Sequence, residues 1–176
     1  EHLDFYGDFE NLKKHFRKFV EKTPSFGKSI VCIDDKNLKS LLTHIKTQNY
    51  LTYGFNKYSN YQITNVRKKR TFSIFDLKIK IPSTKIRKIN NIVVNLIGDH
   101  NITNATASIA ISLNLGIKIE KIKKALKKFL GIQRRFTKVF AIGNREFYDD
   151  YAHHPTEIKA VINSARQVNK TRKIIS

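Results

Sequence analysis

Phe9, Leu12, Phe16, Phe19 and Val20 recur at the three- and four-residue steps of one helix face, and the pattern stops at Pro24 and Gly27. An apolar run from Ser29 to Ile33 then predicts a strand, Leu38, Leu41, Leu42 and Ile45 a second helix, and Tyr50 to Phe55 a second strand. Strand, helix and strand in that order predict a right-handed parallel crossover, the unit of an α/β fold. From Tyr61 to Ile97 the period changes to two: Phe72, Ile74, Phe75, Leu77, Ile79 and Ile81 approximate alternation. This predicts antiparallel strands with turns near Arg67 to Arg70 and Pro82 to Asn90.

Gly98-Asp99-His100-Asn101 leads into a helix predicted from about Asn104 to Leu115 and ended by Gly116, whose many Ala and Ser residues predict close packing on a neighbour. In Lys118 to Leu130, Ile119, Ile122, Leu126, Phe129 and Leu130 again fall at helical steps. Gly131 to Phe136 breaks that pattern and predicts a boundary, with one unit over residues 1–133 and another over 134–176. Lys138 to Ile142 and Arg145 to Tyr151 flank Gly143-Asn144 as a hairpin. Pro155 suits the first turn of a helix whose apolar face is Ile158, Val161, Ile162 and Ala165. Arg172 to Ser176 starts another strand with no partner, which predicts that the complete protein continues past it.

Composition narrows the functional classes. A chain of 176 residues with 40% hydrophobic content can bury a core and is not a disordered tail. It has no run of about 18 apolar residues, and its first residues are acidic where a leader would be basic, so a soluble, cytoplasmic protein is expected. Cys32 is the single cysteine; it has no intramolecular disulfide partner and reads as a buried strand position rather than a reactive thiol. The net charge of +20 raises nucleic-acid binding as an alternative. Against it, Lys121, Lys123, Lys124, Lys127 and Lys128 occupy the outer faces of an amphipathic helix, no zinc-ligand set or recognition-helix motif accompanies them, and abundant Lys, Ile and Asn is what an A/T-rich coding sequence yields.

Candidate chemistry concentrates in Asp149-Asp150-Tyr151-Ala152-His153-His154-Pro155-Thr156-Glu157, carboxylates and imidazoles at a strand-to-helix junction, where open α/β sheets bind ligands. The residues alone admit a metal site, general acid–base catalysis, a positioning loop, or a helix-capping role for His154 or Thr156.

The same segment closely resembles the DDYxHHPTE motif of the Mur ligase family, and Gly98 to Ala105 resembles that family's GxHNxxNA motif. Glu1 to Tyr6 is similar to its DHxDxY segment and Gly131 to Phe136 to its GxxRRF hinge; the four keep family order across nearly the whole chain. The resemblance implies part of a P-loop-type central ATPase domain with a small antiparallel sheet, followed by the start of a Rossmann-like C-terminal domain. It also implies an ATP- and Mg2+-dependent ligase of peptidoglycan synthesis that forms an amide through an acyl phosphate. Asn101 and Asn104 would contact the adenine of the nucleotide, Asp150 its ribose and Arg135 its phosphates, and His100 would belong to the same nucleotide site. His153 and His154 would lie near the incoming amino acid or reacting phosphoryl group, and His2 would be a metal ligand. Where other members of the family carry a carbamylated lysine, this chain has Arg17 followed by Lys18.

Within the family the motifs are most similar to members that join L-alanine to UDP-N-acetylmuramate. Members that attach a tripeptide to the same nucleotide sugar are the nearest alternative, and a degenerate or split gene is another. No GxxGKT-type phosphate loop occurs in this sequence, so the piece is expected not to catalyse alone.

Overall fold

A computed structural model describes residues 3–46, 49–82, 84–168 and 173–175. A short helix α1 (Leu3–Tyr6) precedes α2 (Phe9–Glu21), whose first turn is held by the Asp8 carboxylate accepting from the Asn11 N–H at 2.7 Å. The crossover unit follows as β1 (Ser29–Cys32), α3 (Lys36–Leu42) and β2 (Tyr50–Gly54), with β1 and β2 parallel and Ser29 opposite Tyr50. Asp34, between β1 and α3, accepts from the N–H groups of Phe55 and Asn56 at 2.8 and 2.9 Å, tying the far ends of the two strands together.

Strands β3 (Tyr61–Lys68), β4 (Ser73–Ile79) and β5 (Arg87–Val94) are antiparallel to one another, but they do not form a separate layer. β3 pairs in parallel with β2 through Tyr53 and Gly54, so all five strands make one mixed sheet in the order β1-β2-β3-β4-β5. Strand β4 alternates strictly, with Ser73, Phe75, Leu77 and Ile79 buried and the residues between them half-buried. The predicted turns are shorter than expected, because Arg67, Lys68 and Arg87 to Asn90 belong to strands. Two bulges explain this: Asn65 and Asn91 adopt φ of 49° and 56°, and the Asp76 carboxylate between them accepts from Asn65 Nδ2 at 2.9 Å and the Asn91 N–H at 2.8 Å.

Helix α4 (Asp99–Asn114) lies across β1, β2, β3 and β5, and α5 (Ile119–Lys128) lies against β5. The small residues of α4 have the predicted consequence. Ala105, Thr106 and Ala110 are buried between Ile102 and Ile109, which let the helix approach Phe75, Leu77 and Ile92 of the sheet. Each fully buried Ile or Phe there contributes about 1.5–3 kcal/mol relative to an exposed one. On α5 only Ile122 is fully buried, and Lys121, Lys124, Lys127 and Lys128 face solvent.

The chain ends in a hairpin, β6 (Thr137–Ile142) and β7 (Arg145–Asp149), and α6 (Pro155–Val168). The strand predicted over Arg172 to Ser176 does not appear at residues 173–175, and its two end residues lie outside the described residues. Cys32 is half-buried rather than buried, because β1 is the edge strand of the sheet. No described helix is long and apolar enough to cross a membrane.

Candidate functional site

Helix α4 starts earlier than its sequence suggests, and that start builds one wall of a cleft. Gly98 occupies the N-cap position with φ 91° and no side-chain cap bond, so Asp99 to Thr103 form the first turn instead of a loop. A Cβ at position 98 would collide with Ser164 Oγ of α6 and with the His100 ring. Glycine is therefore required both by backbone conformation and by the close approach of α6. Asn101 donates its side-chain amide back to the Ile97 carbonyl at 2.8 Å, whereas the Asn104 amide, one turn further on, has no hydrogen-bond partner among the described residues.

The cleft has a volume of about 880 Å³ and lies between α4, α5, the Gly131–Arg135 connection and α6. Leu96, Leu126, Phe129 and Ile132 give it an apolar floor; His100, Asn101 and Asn104 line it from α4; Arg135, Asp150, Thr156 and Glu157 line it from the opposite side. An apolar slot with a few convergent polar groups suits a planar heterocycle carrying charged substituents.

The connection opposite α4 is held in an unusual backbone path. Gly131, Arg134 and Phe136 all have positive φ, at 97°, 61° and 51°. The Asp150 carboxylate sustains the path by accepting from the Phe136 N–H and the Ala152 N–H, both at 2.7 Å, while the Tyr151 N–H donates to the Arg134 carbonyl at 2.8 Å. Arg134 lies over the Tyr151 ring, 4.8 Å from its centroid, and unlike Arg135 it does not line the cleft. Arg135 is half-exposed, with Nη1 3.8 Å from Glu157 Oε1.

Charges in the cleft act on one another. Burial lowers the pKa of His100 below its ordinary value; Asp150 and Asp99 act against that shift and Arg135 adds to it. Glu157 is held below the usual carboxylate range first by the His153 N–H, then by the His154 N–H, His153 and Arg135.

The two histidines of the 149–157 segment do not line the cleft with Arg135 and Asp150. His153 is exposed, its ring edge-on to Tyr151 with centroids 5.2 Å apart. His154 caps α6: its Nδ1 accepts from the Thr156 N–H at 3.3 Å, and Glu157 reciprocates on the His154 N–H at 3.5 Å. Of the alternatives left by the sequence, the helix-capping role has direct geometry for His154 and the positioning role for Asp150. His2 lies outside the described residues, and among the described residues no three His, Cys, Asp or Glu side chains gather as a metal site. Sequence reasoning overlooked the lining role of Thr156 and Glu157, although the His154-to-Glu157 spacing of a capping box was visible.

The model of the Mur ligase middle domain matches residues 1–112, and that of the Mur ligase glutamate ligase domain matches residues 134–176. The chain belongs to the Mur ligase family. Among Mur ligases, it is 49% identical over 175 residues to the UDP-N-acetylmuramate–L-alanine ligase of Pelagibacter ubique, an alignment covering 99% of this chain and 38% of that protein. It is 42% identical to the ligase of the same name from Agrobacterium fabrum, again over 99% of this chain and 37% of the relative. The chain thus spans less than two fifths of the length of these relatives. Among solved structures, the UDP-N-acetylmuramate–alanine ligase of Thermotoga maritima superposes with a TM-score of 0.74 at 26% identity, over 98% of this chain and 37% of that one. MurF from Acinetobacter baumannii gives 0.75 at 22% identity over 98% of this chain and 35% of its own, a likeness of fold.

Proposed function

We propose that this chain is the nucleotide-facing part of an ATP-dependent ligase that joins L-alanine to UDP-N-acetylmuramate in peptidoglycan synthesis. The observation that carries this reading is the cleft, in which the unpartnered Asn104 amide faces an apolar slot and Arg135 and Asp150 close the opposite side. A side-chain amide both donates and accepts, which suits the edge of adenine, and the slot suits its faces. Arg135 would contact phosphate oxygens with the donors that Glu157 leaves free. Asp150, whose two oxygens already accept backbone N–H bonds, has lone pairs left for a ribose hydroxyl. His100 would stand beside the nucleotide as a largely neutral ring.

In this reading a substrate carboxylate attacks the terminal phosphorus of ATP, ADP leaves, and the amino group displaces phosphate from the resulting acyl phosphate. The chain's share is to bind the nucleotide and to offset charge on the transferring group. Mg2+ is a further expectation, with His2 as a ligand; among the described residues no three His, Cys, Asp or Glu side chains form a cation site. His153 and His154, which do not line the nucleotide cleft, are assigned to the incoming amino acid or the reacting phosphoryl group, with His154 also fixing the start of α6. We place the domain boundary at 133/134, within the positive-φ stretch. The names of the relatives favour L-alanine over a tripeptide as the incoming group.

Titration of the chain with ADP tests the site. Replacing Asn104 by Ala removes a side chain with no hydrogen-bond partner among the described residues, so it should weaken ADP binding roughly twofold to tenfold, the worth of one hydrogen bond, with no loss of thermal stability. Unchanged affinity would remove adenine recognition from this cleft.

A further inference from the structure

Arg135 and Glu157 reach each other from different elements, and the two oxygens of Glu157 divide between two tasks. Oε2 accepts from the backbone N–H groups of His153 and His154, at 3.3 and 3.5 Å, at the start of α6. Oε1 stands 3.8 Å from Arg135 Nη1, and no other acidic side chain among the described residues pairs with that guanidinium. Both residues line the cleft. An arginine with a half-exposed side chain otherwise spreads over many rotamers, and gathering it onto a ligand costs entropy.

We propose that Glu157 is a positioning residue that holds Arg135 toward the cleft by tying its guanidinium to the capped start of α6. The proposal rests on reading Arg135 as the phosphate-binding group. Contact through one nitrogen leaves the other N–H donors of Arg135 for an anion, so the tether orients the side chain without occupying it. Because α6 begins at Pro155 and Arg135 lies in the connection before β6, the tether also couples the position of α6 to the phosphate end of the nucleotide.

Glutamine separates the two tasks of Glu157, since its amide oxygen still accepts the helix-start N–H groups but carries no charge to hold a guanidinium. In the full-length gene product, Glu157→Gln should raise KM for ATP about two- to fivefold, the range of an exposed ion pair, with a smaller change in kcat and only a slightly lowered melting temperature from loss of the charge at the helix start. Combined with Arg135→Ala, it should add nothing further. A wild-type or lowered KM in Glu157→Gln, or an effect that persists undiminished in the Arg135→Ala background, overturns the positioning role. If Arg135→Ala alone leaves KM for ATP and kcat unchanged, the phosphate reading of Arg135 fails, and the proposal fails with it.

Discussion

Gly98 shows how a single position can carry both a backbone and a packing requirement. Its φ of 91° disfavours any L side chain, and Ser164 Oγ fills the space a Cβ would need. Gly98→Ala should destabilise the chain by about 2 kcal/mol or more, read as a lowered urea midpoint, and adding Ser164→Ala should recover only part because the backbone strain persists. Full recovery would show the clash to be the whole cause. His100, two residues on, gives a pH prediction. Its folded pKa is lower than its unfolded value, so the unfolded chain binds more protons as pH falls below about 6.5. The stability tied to its neutral form is present above that value and lost toward the lower folded pKa; thermal melts at pH 7.5 and 5.5 should show a smaller acid loss in His100→Gln than in the wild type. At this scale the sequence pointed to His100, Asn101, Asn104, Arg135 and Asp150 through motifs, and the cleft gathers all five. It pointed also to His153 and His154, expected near the incoming amino acid or the reacting phosphoryl group; neither lines the cleft, and that expectation stands as a proposal.

Elements with strong local signals were legible, and those set by distant contacts were not. α2, α5, the β6–β7 hairpin and α6 follow from period and punctuation alone. The sequence predicts the start of α4 near Asn104; the actual start at Asp99, after Gly98 as the N-cap, goes with a positive φ at Gly98 and burial of Ile102. The union of the parallel and antiparallel strands rests on a two-residue ladder, Tyr53 to Tyr61 and Gly54 to Gln62, which leaves no trace in hydrophobic periodicity. Capping gives this scale its prediction. Asp35 accepts from the N–H groups of Asn37 and Leu38 at 2.8 and 2.9 Å, so Asp35→Ala should cost about 1 kcal/mol in chemical denaturation and leave ADP binding intact, α3 being remote from the cleft. Altered ADP affinity would contradict that separation.

Taken whole, the molecule brings residues 134–176 against residues 1–133 at places that include Ser164 against Gly98 and Arg70 with Glu146 at 3.9 Å. The cleft is lined from both segments, so the proposed nucleotide binding depends on their relative position as well as on the residues named. The proposed ATP-dependent alanine ligase activity is tested most directly by phosphate release from the full-length gene product with ATP, Mg2+ and UDP-N-acetylmuramate. Release that requires L-alanine and is impaired by Arg135→Ala is expected; release with a tripeptide but not with L-alanine, or none with either, would contradict the assignment.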